Sequence, residues 1–402
     1  LALEANLAYQ NNHRKELAEA VSHGYMPIPP HTLEREFKKD TYTANVIMRL
    51  TMGERHTLTT GINSEYQHNR RNGWGFIIPD FETTSFGAYA FDRYTIKKDL
   101  ILNAGVRYDH VTTNIHSYND WFKTPINATD SVYKQRSQDL HRSFNSLTWS
   151  AGINYATGNW ILKANIGKSF RVPIPKELGT DGINYHIFRY EKGNPTLNPE
   201  ESYQLDLGLR WGNDKVTVQF DPYLNYFPNY IYMNPTPNYY EGLQWYYYTQ
   251  SRVIRSGFEL QANWKICPFL SAEVKGEYLY AEQLSGEKKG YTLPFSTPWS
   301  ADMTLKYDYC QQKVGNEGFV ALNFHVVGRQ NNIVPPEKPT PGYYTLNLSA
   351  GKDFAFGDKK LHLSLNAENL LNRKYYDHTS FYRLIDVPEP GRNVALMVGF
   401  DF

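Results

Sequence analysis

The segment NVALMVGFDF, residues 393–402, alternates between apolar side chains and small or polar ones. A period of two places successive side chains on opposite faces of a β-strand. One face of this strand is therefore apolar throughout, with Val394, Leu396, Val398, Phe400 and Phe402. The opposite face carries Asn393, Ala395, Met397, Gly399 and Asp401. The pattern predicts a strand that separates an apolar phase from a polar one.

The same alternation recurs along the whole chain and predicts sixteen strands. Two clear examples are LILNAGVRYDHV, residues 100–111, and KLHLSLNAEN, residues 360–369. We place the strands near residues 1–11, 39–53, 54–69, 82–97, 99–113, 144–157, 158–171, 201–213, 214–230, 243–265, 268–283, 297–311, 317–330, 341–356, 359–373 and 393–402.

Short and long connections alternate between these strands. The short turns fall at 53–54, 98–99, 158–159, 213–214, 267–268, 311–317 and 357–358. The long links, rich in Pro and Tyr, are 12–38, 70–81, 114–143, 172–200, 231–242, 284–296, 331–340 and 374–392. An outer-membrane barrel has short periplasmic turns and long extracellular loops. The sequence therefore predicts an all-β fold, a transmembrane antiparallel up-and-down β-barrel; a soluble β-sandwich is the alternative.

Composition and the absence of known motifs exclude several classes of function but do not identify one. The 402 residues contain no run of about 20 apolar residues, which a membrane-spanning helix requires. A net charge of +1 without a basic stripe argues against nucleic acid as a partner. No nucleophile elbow, zinc-hydrolase helix or phosphate loop is present, so we expect no enzyme activity and no cofactor. The alternation is already under way at Leu1, so we expect the chain to begin inside its fold.

Two pairs of segments carry a more specific signature. GKSFRVPIPKEL (167–178) precedes KGNPTLNPEESYQLDLGLRW (192–211), and LNAENLLNRKYYDH (365–378) precedes PGRN (390–393). Together they resemble the C-terminal barrel of TonB-dependent outer-membrane receptors, over about residues 40–402. In that family a Phe-Arg-x-Pro turn leads into an extracellular loop, and an Asn-Pro-x-Leu segment leads out of it. The matching residues are Phe170, Arg171, Pro173, Asn194, Pro195 and Leu197.

The final strand also resembles the C-terminal signature of bacterial outer-membrane proteins. That signature is an alternating strand that ends in Phe, here Phe402, and the barrel-assembly machinery recognises it. An ordinary edge strand is the alternative interpretation when the segment is considered by itself. Its position after fifteen similar segments favours the assembly signal.

The family resemblance implies a barrel of about 22 strands filled by an N-terminal plug. Residues 1–402 are then the C-terminal portion, with sixteen strands present and the plug and first strands absent. The implied function is active import of a scarce nutrient, such as haem, a siderophore or another metal chelate, energised through TonB. The implied location is the outer membrane of a Gram-negative bacterium. A passive porin-like channel or a surface adhesin is the alternative.

The resemblance also implies several partners. These are the TonB complex, contacted through the absent N-terminal region, the barrel-assembly machinery, outer-membrane lipid and a small-molecule ligand. A surface lipoprotein is a further expected partner. Polar side chains on the inner face, such as Arg107, Asp109, Asn366 and Glu368, are expected to bond the plug or water.

The loop between the two boxes contains the main ligand candidate, His186. Haem-uptake members of the family carry a histidine in this loop, and a neutral imidazole is a good axial ligand for haem iron. Tyr185, Phe188 and Tyr190 are nearby aromatic residues that would pack on a porphyrin. Val172 and Thr196 depart from the haem pattern. A solvated loop histidine is therefore the competing interpretation.

Other loops offer further candidates. His13, His23 and His31 in the first long loop would bind Zn²⁺ or Cu²⁺ if clustered, although their spacing matches no compact motif and chance scatter is the simpler account. Tyr239 and Tyr240 lie near a loop tip and are ligand candidates. Residues 245–248, where strand periodicity resumes, are expected to belong to an interfacial aromatic girdle.

The remaining candidates are Cys267 and Cys310, at the periplasmic ends of neighbouring strands, which would form a disulfide if their geometry allows it.

Overall fold

The computed structural model describes residues 1–310, 317–357 and 359–401, with only the backbone at Cys310. Nearly all of its regular structure is β. The strands are β1 (Ala2–Leu17), β2 (Leu33–Met52), β3 (His56–Asn72), β4 (Phe81–Lys97), β5 (Leu100–Ile115), β6 (Tyr118–Pro125), β7 (Ser131–Ser137), β8 (Leu140–Thr157), β9 (Trp160–Arg171), β10 (Asp181–Asn184), β11 (Arg189–Lys192), β12 (Glu200–Gly212), β13 (Val216–Tyr240), β14 (Leu243–Cys267), β15 (Leu270–Gln283), β16 (Ser300–Cys310), β17 (Glu317–Val327), β18 (Tyr343–Phe356), β19 (Lys359–Glu368) and β20 (Asn393–Asp401). The helices are α1 (Pro175–Gly179) and two 3-10 turns, Tyr185–Ile187 and Phe381–Ile385. Within the described ranges, no helix has the length and apolar character needed to cross a bilayer.

Sixteen of these strands form one antiparallel sheet in chain order. Each pairs with the next, from β1 through β5, then β8, β9 and β12, and on through β20. These are the sixteen predicted strands, so the up-and-down all-β fold is confirmed. Among the described residues no ladder joins β1 to β20, and each of these two strands has a single neighbour.

The apolar face of the sheet is exposed. On β12, Leu205, Leu207 and Leu209 point outward, while Asp206 and Gly208 alternate with them. The same holds for Met303, Leu305 and Tyr307 on β16, and for Val320, Leu322 and Phe324 on β17. A water-soluble sandwich would bury these side chains between two sheets. The sandwich alternative is therefore wrong, and the exposed apolar face is the one that lipid requires.

The opposite face of the sheet carries polar networks. Arg107 donates to both oxygens of Asp109 and to Asn63 Oδ1. Gly87 lies directly beneath this group, where a Cβ would collide with the Arg107 guanidinium. These inward polar contacts agree with the predicted alternation on β5.

Tight turns at one end of the sheet link the strands in pairs. Gly53, Gly158 and Gly357 occupy them with positive φ, a conformation that glycine adopts at no steric cost. The long links lie at the other end. One prediction fails here: residues 231–240, expected to be an irregular link, continue β13, with register shifts between Phe227 and Tyr230 and between Pro235 and Tyr239. As a result β13 and β14 are each 25 residues long and turn at Glu241-Gly242.

Two small hairpins lie among the long links. Strands β6 and β7 form a separate two-stranded sheet. Strands β10 and β11 pair with each other, and β11 also runs parallel to residues 244–247 of β14. The pairing between β14 and β15 ends at Val253, so β14 has a free edge above that point and β11 occupies it. Strand β11 thus hydrogen-bonds backbone groups of β14 that would otherwise lie on an exposed strand edge.

The buried core sits at the loop end rather than in the middle of the sheet. One cluster joins Phe81, Ile115, Leu178, Leu197 and Ile231. A second cluster joins Phe227, Tyr232, Val253, Ala281 and Leu293. These residues come from loops and from the strand ends that enter them. The long links therefore pack into an ordered layer on one end of the sheet.

Candidate ligand-binding site in the loop layer

The main site candidate is a cluster of aromatic and charged side chains that three hairpins bring together. We call it the aromatic–basic cluster and define it as Tyr190 of β11, Tyr240 and Trp245 of the β13–β14 hairpin, Lys134 and Arg136 of β7, Asp120 of β6, and Asp181 of β10. The sequence predicted Tyr190 and Tyr240 as ligand contacts, and the structure brings these two together. The other members were not predicted.

The aromatic half of the cluster is a three-ring stack. Tyr190 and Tyr240 are nearly parallel, with ring centroids 4.3 Å apart and 21° between planes. Trp245 meets Tyr190 edge-on at 5.5 Å. Tyr190 is buried, whereas Tyr240 and Trp245 are partly exposed. Tyr240 and Trp245 are therefore the two rings of the cluster that solvent reaches.

The charged half consists of two cations held by two carboxylates. Arg136 Nε donates to Asp120 Oδ2 at 2.7 Å, and both side chains are almost completely buried. Arg136 Nη1 and the Tyr190 hydroxyl both donate to Asp181 Oδ1. Lys134 Nζ lies 4.4 Å from the Tyr240 ring centroid and 3.8 Å from Asp181 Oδ1. Burial lowers the pKa of the Lys134 ammonium and raises that of the Asp120 carboxyl.

Arg136 is neutralised by its carboxylate partners, and Lys134 and Lys192 are the more accessible cations. Lys192 is exposed and lies 5.5 Å from the Trp245 ring centroid. A planar anion placed against Tyr240 and Trp245 would therefore meet two ammonium groups. Cations over aromatic faces and aromatic rings against planar ligands are both favourable contacts.

The sequence contains a local signal for the two basic members of the cluster. In SVYKQRS, residues 131–137, Lys134 and Arg136 stand two positions apart and so lie on the same face of a strand. Residues 114–143 were predicted to be a link without strands. Charged residues at a period of two inside a long link therefore indicate a β-strand.

The predicted ligand His186 lies beside the cluster in a different environment. Its Nε2 is 3.5 Å from Glu16 Oε2 and 3.5 Å from Glu34 Oε2. The neighbouring Tyr185 stacks on His23 with ring centroids 4.7 Å apart. Burial, together with Glu241 and Glu34, raises the pKa of Tyr185.

The three predicted metal histidines of the first loop are not brought together. His13 Nε2 is 2.7 Å from Glu36 Oε1, because the β1–β2 register places His13 next to that carboxylate. His23 packs on Tyr185, and His31 is exposed. Within the described ranges, the group of His, Cys, Asp and Glu side chains close enough to share a metal ion is Glu16, Glu34 and His186.

The family-motif residues build the base of the loop layer. Arg171 Nη1 donates to both oxygens of Glu177, at 3.0 and 2.8 Å, and Nε donates to Glu200 at 3.2 Å. Glu177 Oε2 in turn accepts the N–H of Ile174 at the start of α1. Pro173 is buried at this turn, directly after Phe170 and Arg171. Arg171 therefore joins the beginning of the loop to the start of β12.

The second motif closes the same loop. Asn194 Oδ1 accepts from the backbone N–H of Thr196 at 2.9 Å. Arg142 of β8 donates to the carbonyl oxygens of Pro195 and Leu197. The Leu197 side chain is buried in the first core cluster. These contacts position the loop and leave ligand contact to other residues.

Between the two motifs, buried Glu191 organises the loop interior. It accepts from Arg189 Nε at 2.7 Å and lies 2.6 Å from Lys176 Nζ. Arg189 also lies over the Tyr246 ring, 5.3 Å from its centroid. Tyr246 is buried, so the predicted interfacial girdle at 245–248 is wrong for this residue. The cause is that β14 projects beyond its neighbour β15 into the loop layer.

The remaining predicted contacts stay at the surface or lie outside the described residues. Tyr239 is 67 % exposed, and Phe188 is exposed with a left-handed backbone at φ 54°. Neither belongs to the aromatic–basic cluster. Cys267 ends β14 and carries a free thiol, with β15 between it and β16. The side chain of Cys310 and all of Phe402 lie outside the described residues.

Outward apolar side chains, an up-and-down sheet and long loops at one end define an outer-membrane β-barrel protein. The chain belongs to the TonB-dependent receptor family: the profile described as "TonB dependent receptor-like, beta-barrel" matches residues 1–370. Proteins of this family reside in the outer membrane of Gram-negative bacteria, as the sequence predicted.

Solved structures share the fold at low sequence identity. The copper transporter OprC is 17 % identical, with a TM-score of 0.78 over 100 % of this chain and 63 % of its own. The FrpB iron transporter from Neisseria meningitidis (F5-1 variant) is 14 % identical, with a TM-score of 0.71 over 98 % of this chain and 60 % of its own. The ferric yersiniabactin uptake receptor FyuA from Yersinia pestis is 14 % identical, with a TM-score of 0.66 over 99 % and 58 %. The chain thus spans less than two thirds of the length of these proteins.

Proposed function

We propose that this chain is the C-terminal barrel portion of a receptor that imports a metal chelate across the outer membrane with energy delivered through TonB. Family membership supports active import, because members of the family are transporters rather than enzymes. The proteins of similar fold carry names that refer to copper, iron and ferric siderophore uptake. One fold-related receptor was solved with a hemophore and heme.

We propose further that additional strands and a plug complete the barrel. Among the described residues the ladder of β1 is with β2 and that of β20 is with β19, and a sheet in lipid needs closed ladders because an unbonded backbone group there costs several kcal/mol. About six more strands between them would close a barrel of about 22 strands. The plug would then bond the inward polar side chains, such as Arg107 and Asp109, and contact TonB. Recognition of Phe402 by the assembly machinery and docking of a surface lipoprotein are also part of this proposal.

The aromatic–basic cluster is the observation that carries the choice of ligand class. Two accessible ammonium groups beside a stacked tyrosine and a tryptophan suit a planar or aromatic chelate with net negative charge. Haem with its propionates and ferric siderophores with aromatic donors share this chemistry. His186 remains the candidate axial ligand for the haem case.

The test is an uptake assay with the full-length protein in a Gram-negative host that lacks its own chelate receptors. Haemin and a ferric catecholate are supplied in turn as the only iron source, with and without TonB. We expect saturable uptake of at least one chelate that disappears without TonB. Uptake independent of TonB would indicate a passive channel, and absence of uptake for both chelates would refute the proposed ligand class.

A haemin titration in the presence of EDTA tests separately whether His186 is the axial ligand of haem iron. If His186 binds haem iron, His186→Ala changes the Soret absorbance response and His31→Ala, an exposed histidine of the first loop, does not. An unchanged response removes the axial role of His186 and leaves the uptake result standing.

A further inference from the structure

Three side chains from three separate elements converge on one point at the rim of the loop layer. Glu16 comes from the end of β1, Glu34 from the start of β2 and His186 from the 3-10 turn Tyr185–Ile187. Their ligand atoms all lie within 4.8 Å of one another. His186 was predicted from the sequence as a ligand of haem iron, and neither Glu16 nor Glu34 was predicted to lie near it.

The two separations from His186 are close to those of a small tetrahedral metal site, and the two carboxylates lie within 4.8 Å of each other. Zinc bonds of about 2.0–2.1 Å to imidazole nitrogen and carboxylate oxygen place neighbouring ligand atoms about 3.3 Å apart. His186 Nε2 lies 3.5 Å from Glu16 Oε2 and 3.5 Å from Glu34 Oε2. A shift of a few tenths of an ångström would give both pairs the required separation. Imidazole nitrogen and carboxylate oxygen are both zinc ligands, and zinc sites with three protein ligands leave the fourth position for water.

Glu34 supplies an independent reason to expect a cation. Its side chain is only 2 % exposed, and its Oε1 has no hydrogen-bond donor within the described part of the chain. A buried carboxylate without hydrogen bonds is costly unless a positive charge compensates it. The nearest cation is Arg35, whose Nη2 lies 2.7 Å from Glu34 Oε1, the oxygen that does not face His186.

The Arg35 guanidinium can stay next to a bound metal ion, because further hydrogen bonds fix its position. Its Nη2 also donates to the carbonyl oxygen of Ile183 at 3.2 Å, and Nη1 donates to Glu16 Oε2 at 3.1 Å. One guanidinium balances only one of the two carboxylates. Arg14 reaches the other Glu16 oxygen from a largely exposed position, where water screens its charge. Second-shell hydrogen bonds of this kind orient carboxylate ligands.

We propose that Glu16, Glu34 and His186 bind one divalent transition-metal ion of the zinc class. The ion ties the loop that carries Tyr190 to the rim formed by β1 and β2. His186 is 56 % exposed, which gives the ion access from solvent. Imidazole selects Zn²⁺ over the hard cations Ca²⁺ and Mg²⁺. The site shares no residue with the aromatic–basic cluster, and His186 cannot bind haem iron while it holds this ion.

The test measures Zn²⁺ binding to the untagged, full-length, EDTA-washed protein in detergent, by competition with a chromogenic chelator. We expect one Zn²⁺ per chain, and affinity reduced at least ~10-fold in His186→Ala and in Glu16→Gln, because each removes a ligand. His31→Ala is the matched control and keeps wild-type affinity. Absence of stoichiometric binding, or equal affinity in all four proteins, overturns the proposal.

Limited proteolysis supplies a second readout that a folding defect does not imitate. Zn²⁺ is expected to slow cleavage within residues 172–199 in the wild type and in His31→Ala, and to have no effect in His186→Ala. Retention of the heat-modifiable gel mobility of a folded barrel shows that the variant is intact. Zn²⁺ protection that persists in the folded His186→Ala protein contradicts the proposal. Because no chelate is present, these results stand apart from those of the uptake assay.

Discussion

Tyr190 and Tyr240 stack with their ring centroids 4.3 Å apart, although one lies on the short strand β11 and the other ends the long strand β13. Lys134 of a third segment donates to the Tyr190 hydroxyl at 3.5 Å and lies over the Tyr240 ring. This contact joins three loops into one surface. The ligand-binding surface that we propose depends on this contact.

Truncation of Tyr240 should weaken chelate binding without unfolding the barrel. Tyr240→Ala removes the partly exposed ring and the surface over which Lys134 lies, so we expect a loss of about 1–2 kcal/mol, or roughly 10-fold in affinity. Tyr240→Phe keeps the ring and should retain most of the affinity. Fluorescence quenching by the chelate measures the effect. Tyr133→Ala, an exposed tyrosine on the same hairpin as Lys134, is the control, and an equal loss in that variant would contradict the prediction.

Neutralisation of Asp120 should destabilise the β6–β7 hairpin. Asp120→Asn leaves the buried Arg136 with Asp181, 3.4 Å from Nη1, as its carboxylate partner, so we expect the hairpin to lose about 3 kcal/mol. Faster proteolytic cleavage within residues 118–137 would report this loss. Asp130→Asn, in the exposed turn of the same hairpin, should change the cleavage rate little. If both variants are cleaved at the wild-type rate, the Asp120–Arg136 pair does not hold the hairpin.

Leu197 tests whether the second family motif has a structural role. Leu197→Ala opens a cavity against Phe81, Ile115 and Ile231, so we expect a loss of about 2–5 kcal/mol from the loop layer. Leu197→Met conserves volume and should cost less than about 1.5 kcal/mol. Hydrogen exchange of residues 172–199 measures both. Ile174→Ala, at an exposed position of the same loop, is the control; an effect equal to that of Leu197→Ala would argue against the core contact.

His378 should make the loop layer less stable in acid. Burial and the charge of Arg383 lower its pKa to about 4, and its Nδ1 is bonded to the Thr340 hydroxyl at 2.9 Å. The unfolded chain binds a proton near pH 6.5 and the folded chain only near pH 4, so stability is lost as pH falls through this window. The full loss is about 3 kcal/mol.

Urea unfolding at about pH 7 and about pH 4.5 measures this dependence. His378→Asn keeps a partner for Thr340 and removes the titrating group, so its stability should fall less between the two conditions. His31→Asn, at an exposed position, should behave as the wild type. The assignment to His378 is incorrect if all three proteins lose the same free energy over this range.

The strands could be predicted because the relevant information is local. Alternation with a period of two appears within ten residues, and lipid on one side with a polar interior on the other forces that alternation on every spanning segment. The same information placed the short turns at Gly53, Gly158 and Gly357. It did not find β6, β7, β10 and β11 or the extension of β13 through Pro235, because these short or Pro-containing segments form strands only where a neighbouring segment offers a partner edge.

The candidate site, like the fold, could be predicted only in part from the sequence. The sequence by itself identified Tyr185, His186, Tyr190 and Tyr240 as loop residues with suitable chemistry, and it determined the family through the two motif boxes. Only the tertiary structure decided that Tyr190 meets Tyr240 and Lys134, that His186 faces Glu16 and Glu34, and that His13 pairs with Glu36 instead of another histidine. Such contacts join residues distant in the chain, and they depend on how the long loops pack against one another above the strands, which no local pattern encodes.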